Sequence, residues 1–220
     1  MSAEPLVAHS LNGADLAQPP PRTALHVVKP QAGTDLAAAE QAAAAFLIAL
    51  GVDLDTESLA ATPARMARAY AEMFSPRPFE LTTFPNDAKY DELIIARSLP
   101  VQSVCEHHLL PFMGVAHVGY LPGERILGLS KLARVVELFA RRPQVQERLT
   151  QQVADWLQDQ LAPRGVGVVV EAEHLCMTVR GVQAPGATTV TSALHGQLRS
   201  DAASRAEFFT LIATHDKAHS

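Results

Sequence analysis

Two short runs bring cysteine and histidine together in this sequence. The first is CEHH, which begins at Cys105 and ends at His108, and the second is HLC, from His174 to Cys176. They contain both cysteines of the chain. Zinc prefers thiolate and imidazole ligands, and a catalytic zinc keeps three protein ligands and one open position for water. Cys105, His108 and Cys176 could supply such a set, which would leave His107 and His174 beside the metal as acid–base groups.

A disulfide between the two cysteines is the competing interpretation. The first 22 residues lack the basic region and apolar core of a secretory signal, so we expect a cytoplasmic protein, in which disulfides rarely persist. Adjacent His107 and His108 would point to opposite faces of a regular strand, and could serve one site only at a strand end or a bulge. The spacing therefore favours a metal site and leaves the identity of its third ligand open.

Composition limits the class of protein and of ligand. With 220 residues, 48% of them hydrophobic, the chain suits one domain with an appended tail. No apolar run approaches the ~20 residues of a membrane span, so we expect no membrane partner. A net charge of −5 argues against nucleic-acid binding. Six basic residues nevertheless lie between Arg125 and Arg148, which favours a small polyanion as ligand over a duplex.

The elements that must position these residues follow from periodicity. Residues 1–32, rich in Ala, Pro and polar residues, are predicted to form a flexible tail. An Ala-rich helix is predicted from Thr34 to Gly51, and a second begins with Thr62 as N-cap and Pro63 in its first turn.

The middle and the end of the chain alternate strands and helices. LIIARSLPVQSV and GVAHVGYL read as strands, and Ser130 is predicted to cap a helix with an apolar face. A second helix runs from about Gln144, itself expected at the surface, and includes Trp156 as a core residue. We expect further strands in VGVVVEAEHLCMTVRGV and ATTVTSAL, and a short helix in RAEFFTLI. Strand pairs joined locally indicate an α+β fold with an antiparallel sheet.

Three sequence blocks resemble one known family. CEHH, GLSKLARVVELFARRPQVQERLT and HLCMTVRGV are similar to the motifs of GTP cyclohydrolase I, and the resemblance covers roughly residues 34–215. It implies the tunnelling fold, in which an antiparallel sheet carries helices on one side. The catalytic domain would span 33–220, with N-terminal helices over 33–78 and the tunnelling-fold core over 90–215. It also implies a homo-oligomeric ring, typically a decamer of two pentamers, with active sites at subunit interfaces.

The resemblance also implies a role for each matching residue. Cys105, His108 and Cys176 match the ligands of Zn²⁺, and His107 and His174 match the acid–base histidines. The remaining matches concern the substrate. The resemblance implies that the guanine ring is recognised by Gln146 and Glu147. It also implies that the triphosphate is surrounded by Ser130, Lys131, Arg134 and Arg180, and that Arg65 reaches the phosphates from a neighbouring subunit. Arg148 is expected to be structural. His117 is expected to be a packed or surface residue, and His9, His26, His195, His215 and His219 to lie in the tail, a loop or the C-terminus.

The implied reaction converts GTP and water into formate and 7,8-dihydroneopterin triphosphate, the first step of pterin and folate biosynthesis. Three alternative functions make different demands on the sequence. A related tunnelling-fold enzyme acting on another purine or pterin would lack this combination of motifs. A non-catalytic zinc-stabilised ring would need only a closed ligand set, without His107, His174 and Glu147. A zinc nucleobase deaminase would need a Cys-x-x-Cys pair and a Glu in H-x-E context, which the sequence lacks.

Overall fold

A computed structural model describes residues 33–213, which form seven helices and seven strands. The helices are α1 (Leu36–Ala49), α2 (Thr62–Met73), α3 (Leu129–Ala140), α4 (Gln146–Leu161), α5 (Leu175–Thr178), α6 (Gly196–Ser200) and α7 (Ala202–Ala213). The strands are β1 (Thr83–Pro85), β2 (Ile94–Cys105), β3 (Pro111–Leu121), β4 (Arg125–Leu127), β5 (Pro143–Gln144), β6 (Gly165–His174) and β7 (Thr188–His195). The predicted α+β class is confirmed.

Five strands form the main sheet in the order β5-β2-β3-β6-β7. The pairs β2–β3, β3–β6 and β6–β7 are antiparallel. The short β5 runs parallel to the end of β2, where Cys105 lies opposite Gln144. β1 and β4 form a separate two-stranded antiparallel sheet. The main sheet therefore brings the end of β2, the start of β3 and the end of β6 to one edge.

The larger core lies between the main sheet and helices α3 and α4. Side chains alternate along a strand, so every second residue of β3 and β6 faces these helices. The buried residues of that face are Phe112, Ala116, Val118 and Tyr120 of β3, and Val166, Val168, Val170 and Ala172 of β6. They pack on the apolar stripes of the two helices, among them Leu132, Val135 and Val136 of α3, and Leu149, Val153 and Leu157 of α4. Trp156 packs partly buried against the same core.

A smaller core covers the opposite face of the sheet. Phe208 of α7 is fully buried with Leu198, Leu121 and Val169. A Cβ atom at Gly119 or Gly167 would lie 3.0 Å from the Phe208 ring. Glycine at these two positions of β3 and β6 thus leaves space for the Phe208 ring, which packs α7 against the sheet.

Helix starts differ in detail from the sequence predictions. The side chain of Asp35 caps α1 by accepting from the Ala38 amide at 2.9 Å. Thr62 is the first residue of α2, which has no side-chain cap. Ser130 is not a cap, because α3 begins at Leu129 after Gly128, whose amide donates to Thr82 O at 3.0 Å. This backbone contact with the segment before β1 sets the helix start one residue earlier than a Ser130 cap requires.

The predicted tail, residues 1–32, and the histidines His9, His26, His215 and His219 lie outside the described residues. Within residues 33–213, no helix has both the length and the hydropathy needed to cross a membrane.

Candidate active site

A tight turn between β2 and β3 positions the residues of the CEHH run. Cys105 is the last residue of β2, and its amide and carbonyl are bonded to Leu110 O at 2.9 Å and to the Leu109 amide at 2.8 Å. Leu109 has a φ of 53°, which turns the chain back into β3. The two histidines therefore lie in a turn and not in a strand, so strand alternation does not separate them. This geometry is compatible with both histidines serving one site at a strand end, which stays a prediction.

The end of β6 positions the residues of the HLC run. His174 is the last residue of that strand and lies opposite Phe112 of β3. The two rings are stacked, with centroids 4.5 Å apart and planes 10° from parallel. The chain then enters the one-turn helix α5, which carries Cys176. Antiparallel pairing of β3 with β6 thus brings two runs of sequence, 66 or more residues apart in the chain, to the same edge of the sheet.

Cys105, His108 and Cys176 form a cluster whose ligand atoms all lie within 4.8 Å of one another. Ligand distances of about 2.0 to 2.3 Å around one zinc ion would place such atoms at nearly this separation. Sγ of Cys105 lies 4.0 Å from Nδ1 of His108 and 3.7 Å from Nδ1 of His107. Among residues 33–213, His108 and not His107 completes the three-residue cluster with both sulfurs. Both cysteines are free thiols, so the disulfide interpretation is wrong for this arrangement.

The donor set fits zinc. Burial raises the pKa of the Cys176 thiol, and the neighbouring Cys105 sulfur raises it further. A thiol with a raised pKa resists ionisation unless a cation is present, and coordination to zinc deprotonates cysteine ligands. Cys105 is buried while His108 is exposed, so an ion held here would be open to solvent on one side.

An open cavity adjoins this cluster and contains most of the predicted chemistry. It is lined by Cys105, His107, His108, Gln144, Val145, Gln146, Glu147, His174, Cys176, Met177 and Thr189. Glu147, in the first turn of α4, is exposed, and its carboxylate makes no hydrogen bond or ion pair to another described residue. Burial lowers the pKa of His174, and the negative charge of Glu147 opposes that shift. The cavity thus combines a metal cluster, a largely neutral histidine and an unpaired carboxylate.

Gln146 does not fit the predicted contact with guanine. Its side chain is 1% exposed, and its amide nitrogen lies within hydrogen-bonding distance of three acceptors in β6 and β7. Its amide oxygen lies 2.7 Å from Nε2 of His174. Because every polar atom of this amide is engaged inside the protein, none remains for a substrate. Sequence reasoning missed this because the partners are 24 to 45 residues distant in the chain.

A second polar network anchors the CEHH turn. Arg148 pairs with Glu106, and this hydrogen bond lowers the pKa of the carboxyl group. Nε of Arg148 also donates to Oε1 of Gln144 at 2.8 Å, and Gln144 Nε2 donates to Phe139 O at 2.9 Å. The expectation of a surface position for Gln144 is wrong, since the residue is fully buried by its pairing with Cys105 in the sheet. Arg148 makes the structural contacts expected of it.

The predicted phosphate-binding residues are divided between two regions. Arg180 lies beside the cluster, with Nη1 3.2 Å from Nε2 of His108. Ser130, Lys131 and Arg134 lie on α3, away from the cavity lining. Arg134 instead pairs with Glu137 at 3.2 Å.

Arg65 also lies outside the lining of the cavity. Its guanidinium donates to Ser58 O and to Thr62 Oγ1, both at 2.9 Å. Four of the five predicted phosphate residues therefore do not meet the cavity within one described chain.

Two histidines lie outside the cavity. Nδ1 of His117 in β3 accepts from the Ser98 amide at 3.4 Å, as expected of a packed residue. His195 ends β7, not a loop as predicted, and its Nε2 lies 2.7 Å from Oδ1 of Asp155 in α4. The β7 pairing extends to this position because Val166 of β6 lies opposite it.

Comparison with known proteins bears on the same region. The family model for GTP cyclohydrolase I matches residues 39–213. A GTP cyclohydrolase 1 of Mycobacteroides abscessus is 58% identical over 185 residues, which cover 81% of this chain and 90% of the relative. One from Thermobifida fusca is 55% identical over 186 residues, covering 82% and 90%. The match includes every residue of the cavity, and the chain belongs to the GTP cyclohydrolase I family of hydrolases.

Proposed function

We propose that the protein is a zinc-dependent enzyme that converts GTP and one water molecule into formate and 7,8-dihydroneopterin triphosphate in the cytoplasm. Membership of the family supports GTP as substrate, with opening and rearrangement of its ring system in pterin and folate synthesis. The observation that carries the proposal is the single cavity that joins the cluster of Cys105, His108 and Cys176 to His174 and Glu147.

Cys105, His108 and Cys176 would hold the zinc. A bound zinc lowers the pKa of a water molecule to about 7, and so supplies at neutral pH the nucleophile that C8 of the purine requires. All three residues line the cavity and His108 is exposed, so substrate can approach the metal through the cavity. This arrangement differs from a structural zinc site, in which four protein ligands close the shell.

His107 and His174 would move the protons. Attack at C8 requires a proton at an imidazole nitrogen of the purine, and expulsion of formate requires another transfer. Histidine exchanges protons near neutral pH, and both side chains line the cavity beside the cluster. The two differ in environment, because His107 is exposed in the turn whereas His174 is stacked on Phe112.

Glu147 would recognise guanine. The guanine edge offers two donors, N1–H and the 2-amino group, and one carboxylate can accept from both. An exposed, unpaired carboxylate on the cavity wall supports this role. Its position in the first turn of α4 also suits a negative charge, because the helix dipole is favourable to anions there.

The triphosphate would be bound at a subunit interface in a ring, which we propose to be a decamer of two pentamers. Arg180 lies at the cavity, whereas Ser130, Lys131, Arg134 and Arg65 do not. A neighbouring chain that presents α3 and α2 to this cavity would complete the site. This division of residues supports an interface site, because a triphosphate needs several positive groups and one chain supplies few of them at the cavity.

The central experiment tests the reaction and the ligand role together. Purified wild-type protein of measured zinc content is incubated with GTP while formate release and pterin absorbance are followed, beside Cys176→Ser and a control, His117→Asn. We expect the wild type and the control to retain zinc and to form both products, and Cys176→Ser to lose zinc and activity. A zinc-loaded, assembled wild type that leaves GTP unchanged would refute the enzymatic proposal in favour of a non-catalytic zinc ring.

The interface site has its own test. Cys176→Ser and Arg134→Ala chains are each expected to be inactive alone, because each lacks one half of the site. Co-expressed in one cell, they form mixed rings in which some sites combine an intact cluster with an intact α3. We therefore expect co-expression to restore part of the activity. Activity that stays absent in mixed rings, whose composition is checked by mass spectrometry, would place the whole site within one chain.

A further inference from the structure

The side-chain amide of Gln146 lies at the centre of a buried hydrogen-bond network. Its Nε2 donates to Val170 O at 3.0 Å and Thr189 O at 2.8 Å, and it lies 3.1 Å from Thr191 Oγ1. Its Oε1 lies 2.7 Å from Nε2 of His174. The residue is 1% exposed, so water does not contribute to these bonds.

The surroundings fix which way this amide faces. Carbonyl oxygens only accept hydrogen bonds, so the atom between Val170 O and Thr189 O must be the NH₂ group. An amide turned by 180° would place its oxygen against two carbonyl oxygens and leave both NH groups without these acceptors. Such an arrangement leaves buried polar groups unpaired, which strongly disfavours it.

Two threonines reinforce the same orientation. The Thr150 hydroxyl donates to the backbone oxygen of Gln146 at 2.8 Å. Thr150 Oγ1 lies 2.6 Å from Thr191 Oγ1, so the proton between the two hydroxyls must come from Thr191. Thr191 Oγ1 can then act only as an acceptor toward Gln146, so it could not donate to an amide oxygen at this position. Both hydroxyl protons are thus assigned, and neither is available to an amide oxygen that faced β6 and β7.

The amide orientation determines the proton position on His174. Since Oε1 of Gln146 can only accept, Nε2 of His174 must carry the proton between them. A neutral imidazole has one N–H, so Nδ1 retains its lone pair, and it has no hydrogen-bond partner within residues 33–213. Stacking on Phe112 holds the plane of the ring.

We propose that Gln146 is a positioning residue, which holds His174 in the Nε2–H tautomer and leaves the Nδ1 lone pair as the atom that takes part in proton transfer with substrate. The inference rests on the proposed function in assigning a catalytic role to His174. It replaces a direct contact between Gln146 and guanine with an action through the histidine.

The tautomer can be measured without turnover. Zinc-loaded protein labelled with ¹⁵N-histidine is sedimented and examined by magic-angle-spinning NMR, and the His174 signals among the nine histidines are assigned by subtracting the spectrum of His174→Gln. We expect wild-type His174 to show a protonated Nε2 and an unprotonated Nδ1. A protonated Nδ1 with a bare Nε2 in the wild type would overturn the proposal, whatever the variants do.

Variants then separate positioning from substrate contact. Gln146→Met removes the acceptor, and we expect mixed tautomers and a kcat lower by the order of 10²-fold, since general acid–base catalysis contributes about 10²- to 10⁴-fold. The KM for GTP should change little, because the side chain does not touch guanine.

Thr191→Val serves as a matched control within the network. It removes one acceptor of the Gln146 nitrogen but leaves both carbonyls and the bond to His174, so the tautomer should be retained. A Gln146→Met variant with an unchanged tautomer and a raised KM would instead establish the guanine contact. Failure of the proposed function gives a different result, a fixed tautomer in a wild-type protein that does not turn over GTP.

Discussion

Replacement of Glu147 by glutamine tests how the cavity distinguishes guanine from other purines. The carboxylate is exposed, lines the cavity and has no partner among the described residues, so the substitution breaks no internal contact. It removes a negative charge from the first turn of α4, where such a charge stabilises a helix by about 0.3 to 1 kcal/mol. The variant should therefore fold and keep its zinc.

The expected cost falls on the substrate. A carboxylate can accept from both N1–H and the 2-amino group, whereas a glutamine side chain offers one oxygen and turns an NH₂ toward the second donor. Hydrogen bonds to charged groups are worth about 1.5 to 3 kcal/mol each. Loss of one bond and weakening of the other gives about 3 kcal/mol, or roughly a 150-fold lower kcat/KM for GTP.

Inosine triphosphate, which lacks the 2-amino group, makes the assay specific. The wild type should prefer GTP to this analogue by about 10²-fold, because the analogue leaves one oxygen of the substrate-bound carboxylate without a donor. In Glu147→Gln the preference should fall toward unity, since a single oxygen serves N1–H of either nucleotide. Steady-state formate release measures both ratios, and Asp159→Asn, which removes an exposed carboxylate farther along the same helix, is the matched control.

Two results would refute the reasoning about guanine recognition. One is a GTP kcat/KM that does not change in Glu147→Gln. The other is an equal loss for GTP and inosine triphosphate, which would indicate a general electrostatic effect of the carboxylate on the cavity.

Three further predictions concern the framework of the site. Arg148→Met should weaken zinc binding by about 10-fold in chelator competition, because it releases Glu106 and with it the CEHH turn; unchanged affinity would make this pair dispensable. Gly114→Ala should destabilise the fold by about 3 kcal/mol or more in thermal unfolding, since the new Cβ would lie 1.9 Å from a backbone oxygen of β6. The control Gly128→Ala should be tolerated, because the nearest atom to its new Cβ lies at 3.5 Å. Arginine neighbours hold the pKa of Glu137 below its ordinary value despite its burial. The contribution of Glu137 to the free energy of unfolding is therefore present above about pH 4.3 and lost as the pH falls through the lower folded-state pKa. Urea titrations should show this loss in the wild type and not in Glu137→Gln.

Periodicity predicted the elements of this fold because they bury continuous apolar stripes. The i, i+3, i+4 spacing of Leu132, Val135 and Val136 predicts the buried face of α3, and all three are at most 1% exposed. Local rules failed where a long-range contact decided the outcome. Ser130 has the composition of a cap, but the bond from Gly128 to Thr82 sets the start of the helix.

The candidate site was predictable where the chemistry depends on residue type. Cysteine and histidine are few, so their juxtaposition indicated a metal cluster before its geometry was known. Glutamine carries no such signal, and only the fold shows that Gln144 and Gln146 are buried and fully bonded. Their burial depends on strands that lie elsewhere in the sequence, β2 for one and β6 and β7 for the other.

The first turn of α4 explains why these residues act as one unit. Successive helical residues are rotated by about 100°, so three neighbours face three directions. Gln146 faces inward and bonds β6, β7 and His174, Glu147 faces the cavity, and Arg148 reaches back to Glu106 in the metal-binding turn. One helix start thus sets the tautomer of the histidine, the position of the carboxylate and the anchor of the cluster relative to one another. A substitution that shifts this turn should therefore impair zinc affinity, guanine preference and kcat together, whereas Arg148→Met, Glu147→Gln and Gln146→Met should each impair mainly one of them.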